Sequence, residues 1–468
     1  MNGIVKPMTT LTEIGTEADK LRLSAGKPLG DTIVADIYAN AEQIARKVVT
    51  HNQENKSTWD AKLDDILTSR LFGYPIMLAL LGLIFWLTIK GANVPSAIIA
   101  NALFAFQDRL TEWFQLAGAP AWLQGVLVLG LYRALAWVVS VMLPPMAIFF
   151  PLFTLLEDLG YLPRVAFNLD NFFKKCKACG KQALTMCMGF GCNAAGVVSC
   201  RIIDSPRERL IAILTNNFVP CNGRFPTLIA VATIFFGGAF ASEYETLVAS
   251  LTITGLVLLG IAATFAVSWL LSHTILKGEP SSLVLELPPY RPPQVGAIIY
   301  RSIIDRTLFV LRRAVIMAAP AGAITWILGN VYIGDLSIIG HLAGWLQPVG
   351  YAVGLDGFII LAFILGLPAN EIVVPILLMS YLATGQMMEF ESLDELRQVL
   401  LDNGWTGLTA VCTMLFCLLH WPCTTTLLSA YKESGSAKWT FLSFLIPTVF
   451  AFAVCFIVAQ AARLLGLA

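Results

Sequence analysis

The sequence predicts an all-α polytopic membrane protein. Hydrophobic residues make up 57% of its 468 positions and charged residues only 13%, and the mean hydropathy is +0.72. A soluble fold has too little interior to bury that much apolar surface. The 31 basic and 31 acidic residues cancel. The chain therefore lacks the net positive charge of a nucleic-acid-binding protein, and we expect no nucleic acid partner.

Apolar stretches define the elements in order. The N-terminus lacks the short apolar core of a signal peptide, and the first apolar run begins near Tyr74, so the residues before it are expected to stay in the cytoplasm. Two short apolar pairs, near 183–200 and 354–385, turn at clusters of Gly, Pro and Asn and predict hairpins or broken helices. Stretches of about 20 residues, enough to cross a bilayer, predict seven spans at 74–92, 127–157, 209–237, 246–275, 308–333, 405–430 and 440–466.

Basic residues predict the orientation, because loops rich in Lys and Arg stay on the cytoplasmic side. Such residues flank the first hairpin on both sides and recur in the linker at 277–313. The loops at 238–245, 334–352 and 386–404 hold a single basic residue, Arg397, and several acids, so we expect them outside. The first hairpin would then enter from the cytoplasm and the second from the opposite side.

The series of span, hairpin, broken span and span thus occurs twice in opposite orientation, behind one extra N-terminal span. Transporters with such an inverted repeat bind their substrate near the midplane, where the interrupted helices of the two halves meet. The predicted units are a cytoplasmic helical segment at 1–70, a first span with an external segment at 71–125, a first repeat at 126–276, a cytoplasmic linker at 277–307 and a second repeat at 308–468.

Four interruptions of apolar helices mark the candidate site. A helix in lipid cannot leave N–H and C=O groups unpaired, so a break persists only where the backbone lines a cavity within the protein. The interruptions lie at Gly189–Asn193, Pro220–Arg224, Leu367–Glu371 and His420–Thr424.

Side chains at these breaks offer thiol, amide, carboxylate and imidazole groups, a set that favours a divalent transition metal over an organic solute. Buried thiols also serve as packing groups, and a hydrogen bond at the kink is an equally simple role for the imidazole. The candidate ligands are Cys192, Asn193, Cys221, Asn370, Glu371, His420 and Cys423. Glu157 and Asp158 lie at the end of a span, where solvation of a helix end explains them equally well.

Most of the ten cysteines lie inside or beside apolar segments, which favours reduced thiols over disulfides. Cys412, Cys417 and Cys455 sit in uninterrupted apolar runs and are expected to pack. Cys176 and Cys179 form a lone C-x-x-C in a basic loop. That motif is a weak sign of a zinc or redox site, and an incidental pair explains it as well.

Several motifs, in this order along the chain, closely resemble the membrane domain of the bacterial ferrous iron transport protein B family. They are KLDDILTSRLFGYPI (62–76), LEDLGYLPRVAF (156–167), MGFGCN (188–193), SPRERLIAILTNNFVPCNGRFP (205–226), LELPPYR (285–291), LGLPANE (365–371) and HWPCTTTLL (420–428). Two departures are Ala194-Ala195, in a stretch where the family more often has a proline, and Pro220-Cys221-Asn222, where it more often has Ser-Cys-Gly.

The resemblance implies a gate-type, nucleoside-transporter-like repeat and uptake of Fe²⁺ through the bacterial cytoplasmic (inner) membrane, with the N-terminus in the cytoplasm. It implies that Cys192, Cys221 and Cys423 are the motif cysteines of a metal path. It also implies that Glu157, Asp158 and Glu371 match acidic positions of the family. Fe²⁺ would be the substrate, and no cofactor would be bound permanently.

The family normally begins with a GTP-binding domain, which requires a G-x-x-x-x-G-K-[ST] loop to cradle phosphates. The sequence contains no such loop, since Gly26-Lys27 is followed by Pro28. We therefore expect a permease rather than an enzyme. A separate GTP-binding protein would act with Mg²⁺ and dock on residues 1–70. A small SH3-like accessory protein, a homo-oligomer and the lipid bilayer complete the expected partners.

Other functions fit the same residues. Ligand type ranks metals poorly, so Mn²⁺, Zn²⁺ or Co²⁺ are alternative substrates. A nucleoside-type solute is another, because the gate-type hairpins are shared. A non-transporting membrane scaffold for a G protein belongs to a different class altogether. An enzyme is least expected, because no nucleophile and base are paired in the sequence.

Overall fold

A computed structural model describes Lys20 and residues 29–48, 58–69, 71–237, 245–278, 290, 292–387 and 393–466. Helices dominate these residues. A small antiparallel hairpin of strands β1 (Tyr332–Ile333) and β2 (Leu336–Ser337) is the one sheet among them. The expected all-α polytopic fold is confirmed.

Three helices precede the first repeat: α1 (Leu29–Val48), α2 (Thr58–Leu67) and α3 (Gly73–Leu116). Helix α3 has 44 residues, about 66 Å at 1.5 Å per residue and twice the thickness of a hydrocarbon core. The predicted first span, 74–92, is therefore too short. The helix continues because its second half packs on the next span, where the Tyr132 hydroxyl donates to the Leu103 carbonyl at 3.0 Å.

The first repeat begins with a long helix and continues through two pairs of short ones. Its helices are α4 (Ala121–Asp158), α5 (Tyr161–Lys175), α6 (Lys181–Gly191), α7 (Asn193–Ser199), α8 (Pro206–Thr215), α9 (Phe225–Phe235) and α10 (Glu245–His273). Helices α6 and α7 form the predicted first hairpin. The predicted span at 209–237 consists of α8 and α9, separated by nine residues of turn and extended chain.

In the part of the chain that the structure describes, the second repeat has the same order with one more helix, eight instead of seven. Its helices are α11 (Val295–Asn330), α12 (Ile338–Ala352), α13 (Gly357–Leu365), α14 (Val373–Leu382), α15 (Leu393–Asp402), α16 (Gly407–Leu419), α17 (Thr424–Ser434) and α18 (Ala437–Leu464). Helices α12 and α15 lie in segments predicted as external loops. Helices α12 and α13 meet at 111°.

Within the described residues, six helical segments are long and apolar enough to cross a membrane, or seven if the bent pair α12–α13 counts as one. This agrees with the seven predicted spans and with the predicted alternation of full spans with broken ones.

The first helices of the two repeats pack closely against each other. A Cβ atom on Gly322 would lie 2.5 Å from the carbonyl oxygen of Gly130 and 2.3 Å from Cβ of Ala134. Only glycine permits this approach, as is common between helices in membranes. Both helices also contain a π-helical segment near their start, at Gly125–Tyr132 and Arg301–Leu308. The two repeats therefore share a local irregularity as well as an element order.

Candidate functional site

The first break lies inside the first hairpin. Helix α6 ends at Gly191, Cys192 has an extended backbone, and α7 starts at Asn193. Phe149 of α4 packs so close that a Cβ atom on Gly191 would lie 2.3 Å from its ring. Glycine is thus required where the hairpin touches α4. Cys192 follows directly, at the residue where the helix is interrupted.

The second break separates α8 from α9. After Thr215 the chain makes a 3₁₀ turn, Asn216–Phe218, and then becomes extended. Two asparagine side chains hold this turn: Asn216 Nδ2 donates to the Asn193 carbonyl at 3.1 Å and Asn217 Nδ2 to the His420 carbonyl at 2.5 Å. Side-chain amides replace the lost helical partners, and Pro220 has no N–H that would need one.

The third and fourth breaks lie in the second repeat and touch each other. Helix α13 ends at Leu365 and a 3₁₀ turn, Asn370–Ile372, leads into α14; α16 ends at Leu419 and α17 begins at Thr424. Thr424 donates from its backbone N–H and its hydroxyl to the Leu367 carbonyl, at 2.9 and 3.2 Å. Freed backbone groups of one break are thus satisfied by the other.

All four breaks meet at one enclosed cavity of about 30 Å³, which we call the break cavity. Six of the predicted ligand residues line it: Cys192, Asn193, Cys221, Asn370, Glu371 and Cys423. Thr425 of the fourth break lines it as well, and so do Met142 and Met146, which the sequence analysis missed. The spacing of the two methionines, i and i+4 on α4, places them on one helix face and was a usable signal.

Direct contacts cross the break cavity between the repeats. Asn370 Nδ2 donates to Cys221 Sγ at 3.9 Å, and a Cβ atom on Gly223 would lie 2.1 Å from Glu371 Oε1. Within the first repeat, the Asn222 N–H donates to the Gly191 carbonyl at 3.4 Å. Thiol, amide and carboxylate groups from both repeats therefore surround the same small space.

The ligand atoms are near one another without forming a finished metal centre. Among the described residues, no group of three or more His, Cys, Asp and Glu side chains is arranged to hold a metal ion. The break cavity, at about 30 Å³, exceeds the roughly 10–15 Å³ that a cavity needs to hold a water molecule. Organic ligands usually occupy pockets of about 300–1,000 Å³. The cavity has room for a single ion or water molecule.

Comparisons with known proteins agree with this architecture. The family model described as "Nucleoside recognition" (Gate) matches residues 139–235 and again 311–437, one stretch in each repeat. The model described as "Ferrous iron transport protein B C terminus" matches residues 253–305, between them. No solved structure matches.

Curated relatives share nearly the whole chain. A protein named "Fe(2+) transporter FeoB" from Staphylococcus aureus is 30% identical over 435 residues, which are 90% of this chain and 62% of the relative. Proteins of the same name from Campylobacter jejuni and Methanocaldococcus jannaschii are 26% and 27% identical, covering 92% and 99% of this chain and 70% and 68% of the relatives.

Over most of its length the chain is similar to proteins named Fe(2+) transporter FeoB, and residues 253–305 match the C-terminal model of ferrous iron transport protein B. It is a multi-pass membrane protein, and it spans about three fifths of the length of the Staphylococcus aureus relatives.

Among the candidate ligands predicted from the sequence, His420 does not line the break cavity. Its Nδ1 contacts the carbonyl oxygens of Phe416 and Cys417 at 3.0 and 2.9 Å. Its ring packs 4.8 Å from that of Phe363, and Nε2 has no hydrogen-bond partner among the described residues. The imidazole contacts carbonyls in the last turn of α16, where the Phe416 carbonyl also accepts from the His420 N–H at 2.8 Å. A hydrogen bond at the kink is the simpler role weighed for it from the sequence.

Glu157 and Asp158 also lie away from the break cavity, so the expectation that these two carboxylates join the ligand set is corrected. Glu157 Oε2 accepts from Arg306 Nη2 at 3.1 Å, and Asp158 Oδ2 accepts from the Gln294 N–H at 3.3 Å. Both carboxylates are exposed at the end of α4 and tie it to the start of α11. Their position reflects the solvation of a helix end.

A buried arginine stands beside the site. Arg224, with 0% exposure, donates to the carbonyls of Leu418, His420 and Trp421 at 2.7, 3.1 and 3.2 Å and to the carbonyl and side-chain oxygens of Asn217 at 2.8 and 3.1 Å. A cation is favoured at the C-terminal end of a helix, here α16. Arg224 thus joins the second break to the fourth. An arginine inside an apolar run was the signal for a special role.

The C-x-x-C motif lies in the connection between α5 and α6, outside the spans. Burial is the main cause that raises the pKa of Cys179 to about 11, and burial raises the pKa of Cys176 as well. Reactive and metal-binding cysteines are thiolates. The two thiols are protonated at neutral pH, which favours the packing role over a redox role.

Proposed function

We propose that this chain carries Fe²⁺ across the membrane through the break cavity. The observation that supports this best is the convergence of three cysteines, three asparagines and a glutamate, drawn from all four helix breaks, on a space of about 30 Å³. Thiolate and carboxylate ligands suit a first-row divalent ion. The name Fe(2+) transporter, given to relatives that match 90% of this chain, supports iron as that ion.

The size and lining of the cavity disfavour the two main alternatives. A nucleoside would need roughly ten times the volume of the break cavity. A scaffold would have no use for polar groups that are costly to hold inside a membrane. Among divalent metals the ligand types discriminate little, so the choice of Fe²⁺ over Mn²⁺ or Zn²⁺ rests on the relatives.

The mechanism follows from the separation of the ligands between the repeats. Cys192, Asn193 and Cys221 belong to the first repeat, whereas Asn370, Glu371 and Cys423 belong to the second. An ion that sheds water to groups on both sides binds more tightly when the breaks draw together, and so it stabilises the closed arrangement. Rocking of one repeat against the other about the breaks would then open the cavity to alternate sides.

We further propose that the protein lies in the bacterial cytoplasmic membrane with its N-terminus in the cytoplasm. A separate GTP-binding protein would supply or gate the energy, and an SH3-like accessory protein would assist it. The basic loops support that orientation. Arg164 of α5 donates to Asp64 of α2 at 2.9 Å, and Tyr290 of the linker donates to the same carboxylate at 2.7 Å. Because these bonds hold α2 against the rest of the protein, they support a docking role for the N-terminal helices.

Anaerobic uptake of ⁵⁵Fe²⁺ into proteoliposomes tests the proposal. Cys192→Ser, Cys221→Ser and Glu371→Gln should each lower uptake about tenfold or more, since each removes a ligand group. Cys455→Ser is the matched control, because that thiol lies outside the cavity and donates to the Cys412 carbonyl at 3.5 Å. Inhibition of ⁵⁵Fe²⁺ uptake by added Mn²⁺ or Zn²⁺ shows the order in which the transporter prefers these metals.

Absence of uptake by the chain alone would be followed by the same assay with a G-domain protein of the family and GTP. Uptake that appears only then would support a partner-gated transporter. If folded and inserted protein takes up no iron under either condition, the proposed transport function is wrong.

A further inference from the structure

A second cavity lies outside the break cavity and is ten times larger. It has a volume of about 310 Å³ and is partly open, and five helices, α3, α4, α5, α6 and α10, form its walls. Its lining includes Tyr74, Phe153, Leu169, Phe173, Cys187 and Phe265. We call it the apolar groove. It shares no lining residue with the break cavity, so iron transport does not account for it.

Helix α5 gives the groove one apolar wall and an interfacial position. Leu162, Val165, Leu169 and Phe173 recur at helical spacing and all line the groove. The aromatic ring of Phe172 is 46% exposed and also lines it. Such an amphipathic helix, between a span and a basic loop, is typical of an element that lies in the membrane interface.

Basic side chains stand where α5 ends. Lys175 is exposed and its ammonium lies 5.9 Å from the ring centre of Phe172, a residue of the groove wall. Lys177 follows in the loop and is half-buried. Lys174 pairs with Asp170 at 2.9 Å. Lys175 therefore stands at the edge of the apolar groove, and Lys177 follows it two residues later in the adjoining loop.

We propose that the apolar groove binds one acyl chain of an anionic phospholipid from the cytoplasmic leaflet, with the lipid phosphate at Lys175 and Lys177. The volume of the groove lies within the range of about 300–1,000 Å³ typical of small-molecule sites. Its apolar walls suit a hydrocarbon chain, and the two cations complement a negative headgroup, the kind that the cytoplasmic leaflet supplies. Enclosure by five helices distinguishes this lipid from those that merely surround the protein.

Native mass spectrometry of the full chain after delipidation tests the proposal, with phosphatidylglycerol and phosphatidylcholine added back separately. We expect one retained phosphatidylglycerol per chain and about tenfold weaker retention of phosphatidylcholine. Leu169→Trp, which fills the groove, should abolish retention. The double substitution Lys175→Gln and Lys177→Gln should weaken phosphatidylglycerol about tenfold and leave phosphatidylcholine unchanged.

Lys432→Gln is the matched control, because Lys432 is an exposed lysine at the end of α17 that does not line the groove. Equal retention of the two lipids, or retention that survives both the tryptophan and the double lysine substitution, would overturn the proposal. So would the lack of any retained lipid in the unaltered chain, the result expected if another part of this chain fills the groove. The lysine substitutions lie at the surface, so they test the headgroup contact even if Leu169→Trp fails to fold.

Discussion

Gly223 and Glu371 face each other across the break cavity, one from each repeat. The carboxylate occupies space that a side chain on Gly223 would need, since a Cβ atom there would lie 2.1 Å from Oε1. Glu371 has rotatable bonds and can move aside, whereas the backbone at the break cannot. The position of the carboxylate is therefore set by the absence of a side chain on its neighbour.

Gly223→Ala should displace this carboxylate while the fold persists. We expect metal affinity to fall about tenfold or more, the usual effect of misplacing a ligand group, with little change in thermal stability. Metal binding by anaerobic calorimetry checks this. Gly255→Ala in α10 is the control, because a Cβ atom there would meet nothing within 4 Å. Unchanged affinity in Gly223→Ala would mean that Glu371 does not ligate the ion.

Arg224 is a second residue whose neighbours determine its role. Arg224→Gln removes the charge and most of the donors that serve carbonyls of Leu418, His420 and Trp421. Each buried acceptor left unpaired costs about 1–3 kcal/mol, so we expect the protein to lose about 3 kcal/mol or more. Thermal unfolding in detergent measures the loss. Arg312→Gln is the control, since Arg312 is exposed; equal stability of the two variants would contradict a structural role for Arg224.

At the scale of whole elements, glycine and proline located the helix breaks in the sequence, and the structure has its breaks at the same motifs. Hydropathy was less informative about helix ends. It ended the first span near residue 92, because Lys90 and Pro95 interrupt the apolar run, whereas α3 continues to Leu116. It also missed α15, an amphipathic helix of low mean hydropathy, and α12, which is apolar but at 15 residues is shorter than a span.

Local sequence patterns also have a limit in predicting which side chains at a break line the cavity. Cys192, Cys221 and Glu371 lie directly in broken backbone, so the break itself directs them to the cavity. His420 is also at a break, yet its imidazole contacts the carbonyls of the last turn of α16. That choice depends on tertiary packing around Phe363, which no local pattern reveals.

The attachment of α2 to α5 should depend on pH. Partial burial, the largest single influence, raises the pKa of Asp64, but hydrogen bonds from Arg164 and Tyr290 outweigh it and leave the pKa below the ordinary value of 3.8. A depressed pKa in the folded state means that the contact stabilises the protein above pH 3.8 and that this contribution is lost as the pH falls through the lower folded value.

Asp64→Asn should therefore loosen α2 at pH 7, and the difference from the unaltered chain should shrink below about pH 4. Hydrogen exchange of the α2 peptide, corrected for the intrinsic pH dependence, measures this. Asp65→Asn is the matched control, because the neighbouring Asp65 is exposed. A difference that is constant from pH 7 to pH 3.5 would contradict an ionic contact.

At the scale of the whole molecule, the two repeats supply complementary halves of one site. Each repeat contributes at least one cavity thiol, Cys192 and Cys221 from the first and Cys423 from the second. Because the described side chains form no complete metal centre, neither half is expected to hold an ion well alone. If an ion needs ligands from both halves, it binds tightly only when the two repeats are closed together, so metal binding and closure are coupled.

This dependence predicts coupled protection of the thiols. Anaerobic Fe²⁺ should slow alkylation of Cys192, Cys221 and Cys423 together, and Cys192→Ser in the first repeat should weaken the protection of Cys423 in the second. Peptide mass spectrometry after timed exposure to a membrane-permeant maleimide measures each site. Cys176, half-buried in the α5–α6 connection, should react at the same rate with or without metal. If Cys192→Ser leaves the protection of Cys423 unchanged, the two repeats bind metal independently. A single ion held between them would then be excluded.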